Sequence, residues 1–546
     1  MSALGPPPSR SVVARPPGEE GAVTVPLPVP ATPWSWRLAI LLAVILVGGG
    51  SYALQPMIGT RGQALAGVIC FFGIVALFSQ NLRAVNWRTI GWGIALQLTL
   101  ALLVLKVGYT RSLTPAEQHL ASAQHAVAVI GVGSMGPLSA LPATQVEPPT
   151  SKFIRPFYAF FEGAGAVVKK FIHFSDEGAR FVFGNLADAR PPEAGGTWSR
   201  LFPYGSYMFQ FAFVALPPIL FVSAFFTVLY HFGILQWCVR LLAWGMVYLM
   251  RTSGAETLSV SANVFMGQTE APLIVRPYVP RMTNSELFTL MVSGFAHISG
   301  GMMVVYINYG ADPVSVLTTC VMACPCSLYL AKLFMPETSV PETAGKLHAS
   351  HERSPYVNAI DAAATGTSDG LKLALNVAAM LIVFIAFVAM FDALLGAIKP
   401  ALLWLGVPTQ TLAGWPDNLS LRMVFGWLFA PAAYLMGVDS ADVQNVGSLL
   451  GSKLAINEHF AYLQMKGWLA QPGYMSNRSY RLAAFALTGF ANFASVGIQL
   501  GGIGAMAPER RHDLARLGGR ALFVGFVATL LNAAIAGVLL PEQIDG

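Results

Sequence analysis

Residues 261–281 read SANVFMGQTEAPLIVRPYVPR, and their reading decides that of the whole chain. The stretch lies in one of the most apolar regions of an apolar sequence. Yet it sets Gln268, Thr269 and Glu270 side by side, with Gly267 before them and Pro272 behind. A carboxylate in the middle of a membrane span costs roughly 2.5–3.5 kcal/mol on insertion scales. Irregular backbone at that depth is tolerated only where it lines a cavity or is buried in protein. The expectation is a hairpin tip, shaped by Gly267 and Pro272, that presents its polar triplet to a polar ligand.

The membrane itself is read from composition. Of 546 residues, 55% are hydrophobic and only 11% charged, and the mean hydropathy is +0.58. Soluble domains carry about 25% charged residues, so a large soluble protein with a greasy core is excluded. Apolar runs long enough to span a bilayer fall near 37–54, 63–80, 89–108, 207–231, 284–309, 314–334, 372–397, 480–505 and 520–540. Two further zones, 236–281 and 422–466, are apolar but broken by Gly, Pro and acids. The expected fold is an all-α polytopic membrane protein with about nine transmembrane helices plus two re-entrant hairpins in an inverted-topology repeat.

Residues 1–35 form a Pro-rich tail expected to be disordered and cytoplasmic. The first apolar run begins near Arg37, so a retained span is expected and not a cleaved signal peptide. Residues 36–108 hold the N-terminal transmembrane helices. Residues 109–205 are read as an extracytoplasmic loop with interfacial helices, FIRPFYAFFEGAGAVVKKFIHF being amphipathic. The first repeat covers 206–371 with hairpin tip 267–271, a scaffold helix at 372–398 links the copies, and the second repeat covers 422–546 with tip 456–459. The net charge of +6 is loop charge that sets orientation. It puts the N-terminus in the cytoplasm and the C-terminus in the periplasm, across a bacterial inner membrane, with Lys466, Arg478 and Arg481 on the wrong face. No Lys/Arg stripe with interleaved aromatics suggests a nucleic-acid partner; lipid and a small ligand are the partners expected.

The repeat rests on four matches in one order. Tyr248-Leu249-Met250 then Ala255-Glu256 is answered by Tyr434-Leu435-Met436 then Ala441-Asp442. The tip Gln268-Thr269-Glu270 is answered by Asn457-Glu458, GFAHIS (294–299) by GFANFAS (489–495), and Pro336-Glu337 by Pro541-Glu542. One crossing separates the copies, which inverts the second. Inverted repeats with interrupted helices at matching places are the architecture of secondary transporters.

With those residues in view, the chain resembles the concentrative nucleoside transporter family. The resemblance is carried by ANVFMGQTEAPLIVRPYVPRMTNSELF, AIDAAATGTSDGLKLALNVAAM, GSLLGSKLAINEHFAYL and GFANFASVGIQLGGIGAMAPERR, and covers about residues 62–106 and 155–540. It implies uptake of nucleosides coupled to a cation gradient by a homotrimer whose mobile transport domain alternates between two faces. It implies that Gln268, Thr269 and Glu270 face the nucleobase with Met302 nearby, that Glu458, Asn492 and Ser495 face the ribose, and that Phe490 lines the site. It maps the coupling cation of sodium-driven members onto Asn263, the Met266 carbonyl, a hydroxyl at position 297 and the Ile298 carbonyl. This chain has His297 there. An imidazole is a poor ligand for a hard cation but titrates near neutrality, so weak sodium dependence and proton coupling are expected, with His297 or a tip glutamate as carrier. No cofactor is expected beyond that H+ or Na+.

The residue chemistry agrees. A Gln amide both donates and accepts, which suits the mixed edge of a base, and a carboxylate accepts ribose hydroxyls in charge-assisted bonds. Plainer roles stand beside these. Glu270 and Glu458 could cap hairpin amides, Asn492 and Ser495 could join helices, and His297 could be neutral packing. GSLLGSK (447–453) has the wrong spacing and no preceding strand for a phosphate loop. Cys324-Pro325-Cys326 lacks further ligands for a metal, and buried thiols behave as small hydrophobes. His459 adjoins Glu458 with no assigned role. Two other classes compete: an intramembrane enzyme using Glu270 and Glu458 as an acid/base pair, and a nucleoside-sensing receptor.

Overall fold

Proline, glycine and capping side chains place most of the helix boundaries. The computed structural model describes residues 31–107, 109–112, 151–154, 156–187, 213, 216–345, 356–469, 471 and 473–542. Helices α1 (Trp34–Ala53) and α2 (Gln55–Leu77) pack together, and α3 (Trp87–Leu105) starts at the Asn86 cap. Strands β1 (Tyr109–Ser112) and β2 (Ser151–Ile154) pair antiparallel, with Tyr109 opposite Ile154. They lead to the long amphipathic α4 (Pro156–Phe183), which lies against α3. Helix α5 (Pro217–His231) turns by 75° into α6 (Ile234–Met250) at Gly233, whose φ of 78° suits glycine.

The first broken zone then folds as α7 (Gly254–Ala262), a tip, and a 3₁₀ segment (Ala271–Arg281) that packs back on α7. Pro272, Pro277 and Pro280 explain why the return arm is 3₁₀ and not α. Next come α8 (Asn284–Ala296), α9 (Gly300–Asn308) and α10 (Pro313–Phe334), then the exposed α11 (Ala359–Gly396) and α12 (Ile398–Trp404). The same order returns as α13 (Leu421–Leu435), α14 (Val443–Ala455), a tip, α15 (Glu458–Leu469), α16 (Asn477–Leu487), α17 (Phe493–Met506) and α18 (Arg511–Leu539). Among the described residues, seven helices are long and apolar enough to cross a membrane, or eight with the bent pair α5 and α6. Helices α8 with α9, α10 and α18 are buried along most of their length, whereas α1 and α11 expose most of theirs.

Several boundaries differ from the sequence reading, each for a local reason. The run 284–309 is two helices, because Ser299 caps a new one. The run 480–505 is likewise split at 488–492 and capped by Asn492. The second span starts at Gln55, ahead of a kink at Gly59 (φ 61°), and the linking helix starts at Ala359, where Asn358 caps it, thirteen residues before 372. In 109–205 the two short strands join the expected helix; the tail 1–30 and residues 113–150 and 188–212 lie outside the described residues.

Arg478 resolves part of the orientation strain. It is fully buried, and its guanidinium donates to the carbonyls of Gly537 (2.6 Å), Pro541 (2.7 Å), Leu540 (3.0 Å) and Gly437 (3.2 Å). The charge is consumed at the C-terminus of α18, where unsatisfied carbonyls favour a cation, so it is no loop charge. Lys466 sits over the Tyr309 ring at 5.4 Å. Hydrogen bonds to charged groups contribute about 1.5–3 kcal/mol each. Arg478→Met is therefore expected to lower unfolding stability in detergent by at least about 3 kcal/mol; an unchanged melting temperature would remove Arg478 from this role.

Candidate functional site

Two tips and two helix breaks converge. Helix α8 stops at Ala296 and α9 restarts after Ser299, whose hydroxyl accepts from the Met302 N–H at 3.3 Å. Helix α16 stops at Leu487 and α17 restarts after Asn492, whose Oδ1 accepts from the Ser495 N–H at 2.8 Å. The breaks are joined directly by the Phe490 N–H donating to the His297 carbonyl at 3.0 Å. Gly489 (φ 154°) makes the approach possible: a Cβ there would stand 3.0 Å from the Phe295 carbonyl and 2.7 Å from Thr529 Cγ2. The Gly-Phe-Ala motif is thus the last turn of α8 in one copy and lies in the break in the other. At the breaks themselves, His297 ends α8 as Thr488 ends α16, and Ser299 heads α9 as Asn492 heads α17. The motif pairing of His297 with Asn492 does not extend to the caps.

The structure brings four of the expected ligand residues into two contacts. Glu458 Oε2 accepts from Asn492 Nδ2 at 2.9 Å, and Gln268 Nε2 donates to Ser495 Oγ at 3.2 Å. All four are buried. The Asn492–Ser495 cap joins the two pairs. Thr269 packs on Gly502, where a Cβ would collide with it. Met302 is buried on α9, and Phe490 is half-buried at the break. Glu270 stands apart: it is exposed, and its Oε2 accepts from the Gly267 N–H of its own tip at 2.9 Å. That is the contact a purely capping carboxylate would make. At the second tip Asn457 Oδ1 caps instead, accepting from the Phe460 N–H at 2.8 Å, which leaves Glu458 for other partners.

The residues mapped to the cation cluster around Ser293. Asn263 Nδ2 donates to Ser293 Oγ (3.0 Å) and to the Ser259 carbonyl (3.2 Å), while Asn263 Oδ1 is buried with no hydrogen-bond partner among the described residues. The His297 ring has Nδ1 at 2.9 Å from the Ser293 carbonyl and Nε2 at 3.4 Å from Cys324 Sγ. A carbonyl can only accept, so Nδ1 carries hydrogen and Nε2 faces a thiol. Ile298 is fully buried, and Met266 is half-buried at the root of the tip.

Three residues escaped the sequence reading. Tyr306, one turn after Met302 on α9, donates its hydroxyl to Glu458 Oε1 at 2.8 Å and stacks on Tyr462 at 4.3 Å. Gln499, one turn after Ser495, donates to Gln268 Oε1 at 3.1 Å; a lone amide in an otherwise apolar run was its signal. Lys453, within GSLLGSK, is fully buried in continuous α14 and donates to the Ala486 carbonyl (2.8 Å) and Thr529 Oγ1 (3.0 Å). Behind Tyr306, His459 Nε2 lies 3.1 Å from the Tyr309 hydroxyl.

Comparison with known proteins identifies the family. Family profiles described as Na+ dependent nucleoside transporter C-terminus, nucleoside recognition, and Na+ dependent nucleoside transporter N-terminus match residues 315–537, 212–312 and 66–132. The chain is 34% identical over 482 residues to an uncharacterized transporter of Haemophilus influenzae, covering 88% of this chain and 97% of that one. It is 33% identical to mouse solute carrier family 28 member 3 and to human sodium/nucleoside cotransporter 1, spanning 59% and 63% of their lengths. The solved structure of CNTnw in an inward-facing substrate-bound state is 31% identical, with a TM-score of 0.70, and covers 87% of this chain and 97% of its own. An outward-facing form of a doubly substituted CNTnw gives a TM-score of 0.71 at 31% identity, over 87% of this chain and 97% of its own. Matched along nearly its whole length by such relatives, the chain belongs to the concentrative nucleoside transporter family, whose members are named as transporters.

Proposed function

We propose that this chain imports nucleosides by symport with a cation, a mobile domain carrying the site between the two faces of a bacterial inner membrane. The observation that carries the reading is the setting of Glu458. Its two oxygens accept from Tyr306 and Asn492, and Gln268 stands across Ser495 from it. A carboxylate held by two donors keeps lone pairs for a ribose diol, and the amide of Gln268 suits a base. The inward-facing and outward-facing forms solved for the structural relative support alternating access here. The long exposed apolar face of α11 supports a homotrimer embedded in lipid. The repeated element order supports an inverted repeat, with the N-terminus cytoplasmic and the C-terminus periplasmic.

For the coupling ion we favour the proton. His297 offers sodium no oxygen, and both its nitrogens face other partners, so a tip glutamate is the better carrier. Sodium is the second reading. It is favoured by the buried Asn263 Oδ1, which has no hydrogen-bond partner among the described residues, and by the human relative's name, sodium/nucleoside cotransporter 1.

In proteoliposomes, labelled uridine or adenosine is expected to accumulate and to be recovered unaltered. Glu458→Gln and Glu270→Gln each remove one ligand charge while leaving insertion intact, and are expected to weaken affinity roughly 5- to 150-fold. Tyr306→Phe is expected to raise KM by roughly 2- to 10-fold. Normal affinity in both glutamate variants would remove the assignment. Uptake driven by an imposed pH gradient that survives replacement of sodium by choline would establish the proton; strict sodium dependence with pH-insensitive uptake would establish the alternative. Cysteines introduced near Ser9 and Asp545 are expected to label from opposite sides of intact cells, and labelling from the same side would break the proposed topology.

A further inference from the structure

The geometry points to Gln499 as the residue that sets the donor–acceptor polarity of the nucleobase side, and so the preference for the base. The inference rests on the nucleoside reading above and deepens it. Its root is a backbone group. The Met291 carbonyl can only accept, and Gln499 Nε2 lies 3.2 Å from it. The Gln499 amide is thereby fixed: reversing it would set its oxygen against the carbonyl. From the same Nε2 the second hydrogen goes to Gln268 Oε1 at 3.1 Å. This fixes the Gln268 amide in turn, with Nε2 donating to Ser495 Oγ at 3.2 Å. Ser495 cannot itself impose a direction, since a hydroxyl both donates and accepts. Without Gln499, Gln268 could flip and Ser495 would follow.

Two further observations show that this relay is built. Gln499 is fully buried, so no water competes for its hydrogens. Gly294 makes the seat: a Cβ on Gly294 would stand 2.5 Å from Gln499 Nε2 and 3.1 Å from Gln268 Cβ. The ribose side is fixed independently. The Ser495 backbone N–H can only donate, so Asn492 Oδ1 must face it and Asn492 Nδ2 must face Glu458.

With the relay in place, Gln268 meets the base with a donor, the second hydrogen of its amide, and Ser495 beside it on the ribose side keeps its hydroxyl hydrogen. Such a surface takes a base edge that presents acceptors. Uridine and cytidine differ there in a carbonyl against an amino group at C4, and inosine and adenosine differ in the same way at C6. The polarity set by Gln499 favours the oxo member of each pair. Gln499 touches no ligand in this account; it is a positioning residue acting through Gln268.

The test measures KM for all four nucleosides in proteoliposomes of the wild type, Gln499→Met and Gly294→Ala. Methionine keeps the length without either hydrogen, and the alanine methyl displaces the amide without altering Gln499. The wild type is expected to favour the oxo member of at least one pair by roughly threefold or more, and both variants to bring that ratio within roughly twofold of unity. A merely structural role would raise both KM values together and leave the ratio, which would overturn the inference. A wild type that favours the amino members, or discriminates within neither pair, would overturn it without any variant. A wild type that takes up none of the four would overturn the nucleoside reading, and this inference with it.

Discussion

A helix broken inside a membrane frees backbone groups that no solvent can satisfy, and two such breaks lie side by side in this protein. Every feature of the site follows from how those groups are bonded. The His297 carbonyl freed by one break accepts from the Phe490 N–H freed by the other. Ser299 and Asn492 cap the restarted helices. An unsatisfied group at that depth costs several kcal/mol, so the breaks hold each other in register. Gly489 is where that contact becomes tightest. Because Asn492 is both a cap and a partner of Glu458, the backbone repair and the buried carboxylate belong to one bonded chain.

Buried charge anchors each broken zone, Lys332 reaching Glu256 and Arg478 reaching Gly437, and the two zones do this by exchange. In the first copy Lys332 on α10 reaches Glu256 at 2.8 Å, Ser285 Oγ at 2.9 Å and Glu337 at 3.3 Å. In the second copy the large cation is Arg478 on α16, at the place Ser285 holds on α8, and it bonds the Gly537 carbonyl. Gly537 lies four residues before Pro541 just as Lys332 lies four before Pro336. A long basic side chain facing a small residue occurs twice, with the helices interchanged. Burying such a charge is tolerable only when its partners satisfy it fully, and both cations are multiply bonded.

The tips are unequal although their sequences look alike. Glu270 is exposed and bonds its own turn, while Glu458 is buried and bonds two other helices. The difference comes from one neighbour. Asn457 caps the second tip while Glu458 reaches Tyr306 and Asn492, whereas the first tip has Thr269 in that setting and Glu270 caps it. Glu458 is therefore the carboxylate held by other helices, and Glu270 the one held by its own tip.

The sequence by itself determined the membrane fold and the paired broken zones, which follow from hydropathy and from breakers such as Gly267 and Pro272. Only the family resemblance grouped Gln268, Glu458, Asn492 and Ser495, and the structure brings the four into contact. The sequence did not determine that 284–309 and 480–505 are each two helices, because an apolar run with one small polar residue reads as continuous. Tyr306, Gln499 and Lys453 also escaped that reading, since each gains its role from a partner 33 to 231 positions away. The role of Arg478 inverted for the same reason. As a basic residue near a span end it counts as loop charge, and only the packing of α16 on α18 turns it into a buried cap for four carbonyls. Periodicity and turn chemistry are properties of neighbours in sequence; the direction of a hydrogen bond is a property of neighbours in space.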